Sequence, residues 1–141
     1  MSTELKSRMK RCWEDAFNRG DVDALDEILA PNYVRHKPPF NDISGLEAEK
    51  QFVRNSRASY PDVHLTVEKM VVDGNMTATL WTFEGTQQGT SPTTGASPRH
   101  IHIKFQGCEM SRLEGGKIVE TWEVGDYLGL LQQLDVVAKF G

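Results

Sequence analysis

Apolar residues recur at helical spacing through the first sixty residues and at alternating spacing through most of the remainder. That switch of period restricts the possible folds more than any other feature of the chain. Leu5, Met9, Cys12, Trp13, Ala16 and Phe17 stand three or four apart, one face of a helix that Gly20 stops. Asp21 then suits the cap of a second, short helix with Val22, Leu25, Ile28 and Leu29 on its buried side, ended by Pro31. Asn32–His36 reads as a strand leading into the Lys37-Pro38-Pro39 loop. Ser44 and Glu47 have the spacing of a capping box, which opens a third helix carrying Leu46, Phe52 and Val53 and stopping before Pro61.

From Val63 onward the period is two. Val63, Leu65 and Val67 alternate with His64, Thr66 and Glu68, and Asp73-Gly74 is a hairpin turn into Met76–Phe83. Gly85–Pro98, rich in Gly, Thr, Ser and Pro, is a loop long enough to act as a lid. His100–Leu113 and Lys117–Val124 are further strands joined through Gly115-Gly116, and Asp126 caps a last helix bearing Leu128, Leu131 and Leu134. Helices first and antiparallel strands afterwards predict an α+β fold, in which a curved antiparallel sheet wraps the N-terminal helices as a cone. Its open end, lined by strand side chains, is where a small hydrophobic or aromatic molecule would bind.

The 141 residues are expected to form one domain, 1–141, with a core that needs no disulfides. Sixteen Lys and Arg against twenty Asp and Glu give 16 − 20 = −4, which argues against a nucleic-acid partner. No run of ~18 apolar residues spans a membrane. The charged, helix-like start at Met1–Arg8 lacks a signal-peptide core, so a cytoplasmic location is expected. Cys12 and Cys108 read as small unpaired core residues.

Among chemistry-bearing residues, Asp126 stands out. Period-two counting through Gly125 puts it on one strand face with Ile118, Glu120, Trp122 and Val124. A carboxylate buried among such residues has a raised pKa, as removal of a proton next to a carbonyl requires. Helix capping alone accounts for it equally well. His36, before two prolines, is placed to point into the mouth of the cone as a partner acid/base, or to be a structural histidine beside the loop. Trp13, Tyr33, Trp81, Phe83 and Trp122 would form an aromatic lining or ordinary core. Met110 and Arg112 share a strand face with Cys108, where Arg112 could hold an enolate or ester oxygen. His100 and His102 stand two apart, but no third ligand is evident and no metal is expected.

Leu29-Ala-Pro-Asn-Tyr-Val-Arg-His36, and the run from Gly115-Gly-Lys-Ile-Val-Glu-Thr-Trp-Glu to Gln133-Leu134, resemble the SnoaL-like polyketide cyclases, also labelled predicted ester cyclases. These belong to the nuclear-transport-factor-two-like superfamily, and the resemblance extends from about Leu5 to Leu134. It implies a conical α+β barrel and acid/base chemistry, an aldol-type cyclisation or isomerisation of a polyketide-like ester or carbonyl compound, with no metal and no organic cofactor. It places the acid/base at Asp126 and matches His36 to a histidine common in the family. Near Met110–Arg112, where some members carry an assisting histidine, this sequence has none. The alternative is a non-catalytic small-molecule binding module of the same fold. An epoxide hydrolase of this fold would need an Asp-Arg-Asp cluster, and a steroid-isomerase-like site a buried tyrosine with a second acid. Neither assembles from the sequence. The resemblance also implies a homodimer through the outer sheet face, with Thr77, Thr79, Trp81 and Phe83 on one face of their strand.

Overall fold

A computed structural model describes residues 2–140. Helix α1 (Ser2–Arg19) is followed by a 3₁₀ segment (Val22–Glu27), strands β1 (Leu29–His36) and β2 (Ile43–Ser44), and helix α2 (Leu46–Ser59). Strands β3 (His64–Asp73), β4 (Met76–Thr86), β5 (His102–Glu114) and β6 (Lys117–Gly125) come next, and α3 (Tyr127–Gln133) closes the chain. The six strands form one sheet in the order β2-β1-β6-β5-β4-β3. All neighbours are antiparallel except β1 and β6, which run parallel. The fold is the mixed α+β one that the change of period predicts, with helices on the concave face of a curved, open sheet.

Helix α1 buries Met9, Cys12, Trp13, Ala16 and Phe17, the stripe read from its spacing. Its polar flank completes the edge strand. Asn18 donates from Nδ2 to the Leu65 carbonyl (2.9 Å) and accepts at Oδ1 from the Leu65 N–H (2.6 Å), while Glu14 accepts from the Val67 N–H (2.9 Å). These side chains occupy backbone groups that an uncovered edge would offer to another chain.

Some local expectations are corrected. Leu29–Pro31 opens β1 instead of ending a helix, because Ile28 has already given its carbonyl to the N–H of Ile118 in β6. The proline is tolerated because the β1–β6 register shifts between Leu29 and Val34, so no ladder bond needs its missing N–H. The Ser44–Glu47 capping box does not form. Ser44 is paired with Val34, the N-cap is Gly45 at φ 100°, and the helix therefore starts one residue too late for that pair. Strand β4 runs on to Thr86, so the long loop is 87–101, and His100 sits in it at φ 57° rather than on a strand with His102. In α3 the buried residues are Tyr127 and Leu130, followed by Leu134, while Leu128 is exposed. Cys12 is buried as expected, but Cys108 is exposed on the outer face of β5. Among the described residues no helix is long and apolar enough to cross a membrane.

Candidate active site

The concave face is set by strand alternation. Tyr33 and Arg35 of β1 and Lys37 just beyond it, Thr79, Trp81 and Phe83 of β4, Phe105 and Glu109 of β5, and Thr121 and Glu123 of β6 are all buried. Aromatic rings fill the base of the cone. Phe83 meets Phe17 and Tyr60 edge-on, and Phe105 lies edge-on to Trp81 and beside Tyr127.

Two glycines make room for two of these rings. Gly107 and Gly125 face each other across β5 and β6. A Cβ on Gly107 would lie 2.2 Å from the Trp81 indole, and one on Gly125 2.7 Å from the Tyr127 ring. Gly107→Ala is therefore expected to push the indole out of place and cost ~1–3 kcal/mol by overpacking. Denaturant unfolding checks the cost, and a shift of the Trp81 indole N–H signal reports the displacement.

Against this apolar base stands one buried cation with three carboxylates. Arg35 donates from Nε to Glu49 (2.7 Å), and from Nη1 to Glu109 (2.9 Å) and Glu123 (2.8 Å). Its guanidinium lies 5.3 Å from the Trp13 ring centre and 6.0 Å from that of Tyr33. The Trp81 indole N–H donates to the Glu109 oxygen that Arg35 also holds (3.1 Å), and the Tyr127 hydroxyl donates to Glu123. Among the described residues, Arg35 Nη2 and Glu109 Oε2 have no hydrogen-bond partner, and both side chains line the cavity. Burial, opposed by the Arg35 charge, pushes the Glu109 carboxyl above its ordinary range. Tyr127 is likewise raised, first by burial and then by Glu123. No three His, Cys, Asp or Glu side chains among the described residues converge as metal ligands.

The inner cavity is small, about 80 Å³, and a wider outer cleft of about 450 Å³ lies beside it. Lys37, Phe52, Pro92 and Thr93 line both and form the neck between them. Loop 87–101 roofs this neck. Gln87, wholly buried, holds the loop by donating to the Ala96 carbonyl (2.9 Å) and accepting from the Arg99 N–H (3.1 Å).

The residues singled out from sequence divide into two groups. Trp13, Trp81 and Phe83 line the cavity, with Tyr33 buried beneath Arg35. Asp126 lies outside the cavity, exposed, and accepts from the Gly129 N–H (2.9 Å) as the N-cap of α3. His36 lies on the outer face, bonded to Asp42 (3.0 Å) and Glu120 (2.7 Å), which raise its pKa, and packed against Trp122. Trp122 and Met110 are exposed there, and Arg112 pairs with Glu114 and Glu120. Counting from Ile118 fails because the β5–β6 register shifts between Ile118 and Glu120, which makes Val119 an extra residue and inverts every later position. His100 bonds Gln88, and His102 bonds Glu84 and Thr86. The cluster that sequence reading could not assemble is present with glutamates in place of aspartates, as is a buried tyrosine beside an acid.

Fold and cavity together define the nuclear-transport-factor-two-like class of pocket proteins. The chain belongs to the SnoaL-like polyketide cyclase family, whose model matches residues 7–134. It is similar to TsrD from Streptomyces laurentii, at 26% identity and a TM-score of 0.84 over 96% of this chain and 97% of that one. It is also similar to IdmH from Streptomyces antibioticus, proposed to be a polyketide cyclase, at 28% identity and a TM-score of 0.73 over 93% and 98% of the two chains. AclR from Streptomyces galilaeus, proposed to be a hydroxylase, shares the fold at 24% identity and a TM-score of 0.76 over 97% and 86%. No curated protein sequence matches.

Proposed function

We propose that this protein is an acid/base enzyme of the cytoplasm, acting on an apolar, polyketide-like ester or carbonyl compound in the cone. The observation that carries the reading is an aromatic cavity lined by both Glu109 and Arg35, each with one polar atom that has no hydrogen-bond partner among the described residues. Glu109 Oε2 removes the proton beside the carbonyl, and Arg35 Nη2 donates to the oxygen on which negative charge develops. Proton transfer expected at Asp126 or His36 passes to Glu109 in this reading. Trp13, Trp81 and Phe83 pack the apolar body of the substrate. The IdmH name supports a cyclisation. The test is conversion of aromatic β-keto esters by the native protein and by Glu109→Gln. Binding without conversion by the native protein moves it to the binding-module reading.

The same carboxylate–guanidinium–carboxylate arrangement favours a second reading, addition of water to an epoxide. There Glu109 would take a proton from the attacking water. Incorporation of oxygen-18 from labelled water into a diol product separates the two.

We further propose that two copies pair through the outer sheet face. Met110 and Trp122 face each other across β5 and β6 at 50% and 41% exposure, with Val124 beside them at 72%. A self-complementary patch of this kind suits a two-fold dimer. Light scattering at micromolar concentration is expected to give a dimer and Trp122→Glu a monomer. A monomeric native protein overturns the pairing.

A further inference from the structure

Lys37 is a buried ionisable group that the acid/base reading leaves without a task. It is 3% exposed, and among the described residues its ammonium nitrogen has one hydrogen-bond partner, Thr93 Oγ1 at 3.1 Å. Among the described residues it makes no ion pair with a carboxylate, and instead lies 4.0 Å from the centre of the Phe52 ring and 5.6 Å from that of Tyr127. A buried lysine is ordinarily paired with an acid. This one stands at the neck, lining both the inner cavity and the outer cleft. At about 80 Å³ the inner cavity is below the ~300–1,000 Å³ that ligand pockets commonly offer. A polycyclic ligand seated on the aromatic base must therefore extend through the neck, past the Lys37 nitrogen.

We propose that Lys37 is a covalent carbonyl-binding site, which captures an aldehyde or ketone ligand as an imine. The inference rests on the reading that the cavity takes an apolar carbonyl compound. In the step, the neutral amine adds its lone pair to the carbonyl carbon, a C–N bond forms, and the C=O π electrons move to oxygen. Two protons from the nitrogen end on that oxygen, which leaves as water, and the product is a C=N bond to Lys37. The oxygen needs no outside reductant or oxidant.

The local chemistry supports a neutral amine. Burial lowers the Lys37 pKa to about 8, against the pull of Glu123, Glu49 and Glu109 and with the help of the Arg35 charge. Those four groups face it from β6, α2, β5 and β1, and Asp42 lines the outer cleft beside it. With a pKa of about 8 against ~10.4 for an exposed lysine, its neutral fraction at pH 7 is on the order of a hundredfold higher.

The experiment incubates the native chain with 2-naphthaldehyde and sodium cyanoborohydride at pH 7 and locates the reduced adduct by peptide mass spectrometry. Cavity occupancy is followed separately by the Trp81 indole N–H signal, assigned with Trp81→Phe. The expected result is a shifted Trp81 signal and an adduct on Lys37 at least tenfold above that on any other lysine. A shifted Trp81 signal with no preferred adduct on Lys37 overturns the imine and leaves the acid/base reading standing. An unshifted signal with no Lys37 adduct overturns both. Because the adduct is located on the native chain, no variant has to fold for the answer to be read.

Discussion

Glu109→Gln is expected to lower turnover by ~10²–10⁴-fold while ligand affinity stays close to that of the native protein. The amide keeps the shape of the carboxylate and can still accept from Arg35 and Trp81 through its oxygen, so the cavity wall is preserved. What is lost is the oxygen able to take a proton. For the native protein the rate is expected to fall with acidification through a pKa above the ordinary ~4.3 of glutamate, because burial raises this group. The same shift has a consequence for stability. A carboxyl whose folded pKa is raised contributes stability that is fully present below its unfolded pKa and lost as pH rises through the folded one. At neutral pH the native protein therefore carries a buried charge that Gln does not, and Glu109→Gln is expected to be the more stable of the two. That advantage shrinks as pH falls and the native carboxyl protonates. Thermal melts at pH 4 and pH 7, with steady-state rates, check both halves. Unchanged turnover removes Glu109 from the proton-transfer role.

Arg35→Met should be the most damaging single substitution in the cone. It deletes the cation that Glu49, Glu109 and Glu123 share at 2.7–2.9 Å, and leaves three carboxylates beneath the surface without their common ion-pair partner. Breaking one side of a buried pair costs ~3–5 kcal/mol, and the loss is expected on the order of 10–20 °C in Tm. The dependence on pH carries the signature. Without the guanidinium the Glu109 carboxyl, already raised by burial, loses the charge that opposes the rise, so its folded pKa climbs further and the variant regains stability as pH falls through it. A cavity formed by a shorter apolar chain alone would show no such recovery. Arg35→Lys keeps the charge but not the planar fork, and is expected to fall between the two. Adding Glu49→Gln and Glu123→Gln to Arg35→Met should restore part of the loss. A Tm indistinguishable from native for Arg35→Met would show that the network contributes little to the fold.

The site was partly legible. In β5, Ile103 and Phe105 are the apolar residues that fix the phase, and counting by twos from them reaches Gly107, Glu109 and Ser111, all buried. Phasing the strand on Cys108 instead sends Met110 and Arg112 inward, and they lie outside. In β6 a count from Ile118 fails, since Val119 is an extra residue against β5, whereas a count from Val119 reaches the buried Thr121 and Glu123. A bulge increases local twist, and its position depends on the partner strand rather than on the bulged sequence. Tyr33 was recognised as an aromatic candidate, yet two residues on, at the same phase, Arg35 is the centre of the site.

The α+β class, the α1 stripe, the hairpins and the family are all readable from the residues, because helical and strand periods follow from backbone geometry within a few residues. Which face of each strand is inside, and which charges meet, emerges only when the chain has folded. Arg35 reaches carboxylates 74 and 88 positions away, and its α2 partner only 14 away, through three different elements. Such convergence is set by sheet order, register and curvature. No local pattern encodes those quantities, because each arises only when the strands have paired and closed over the helices.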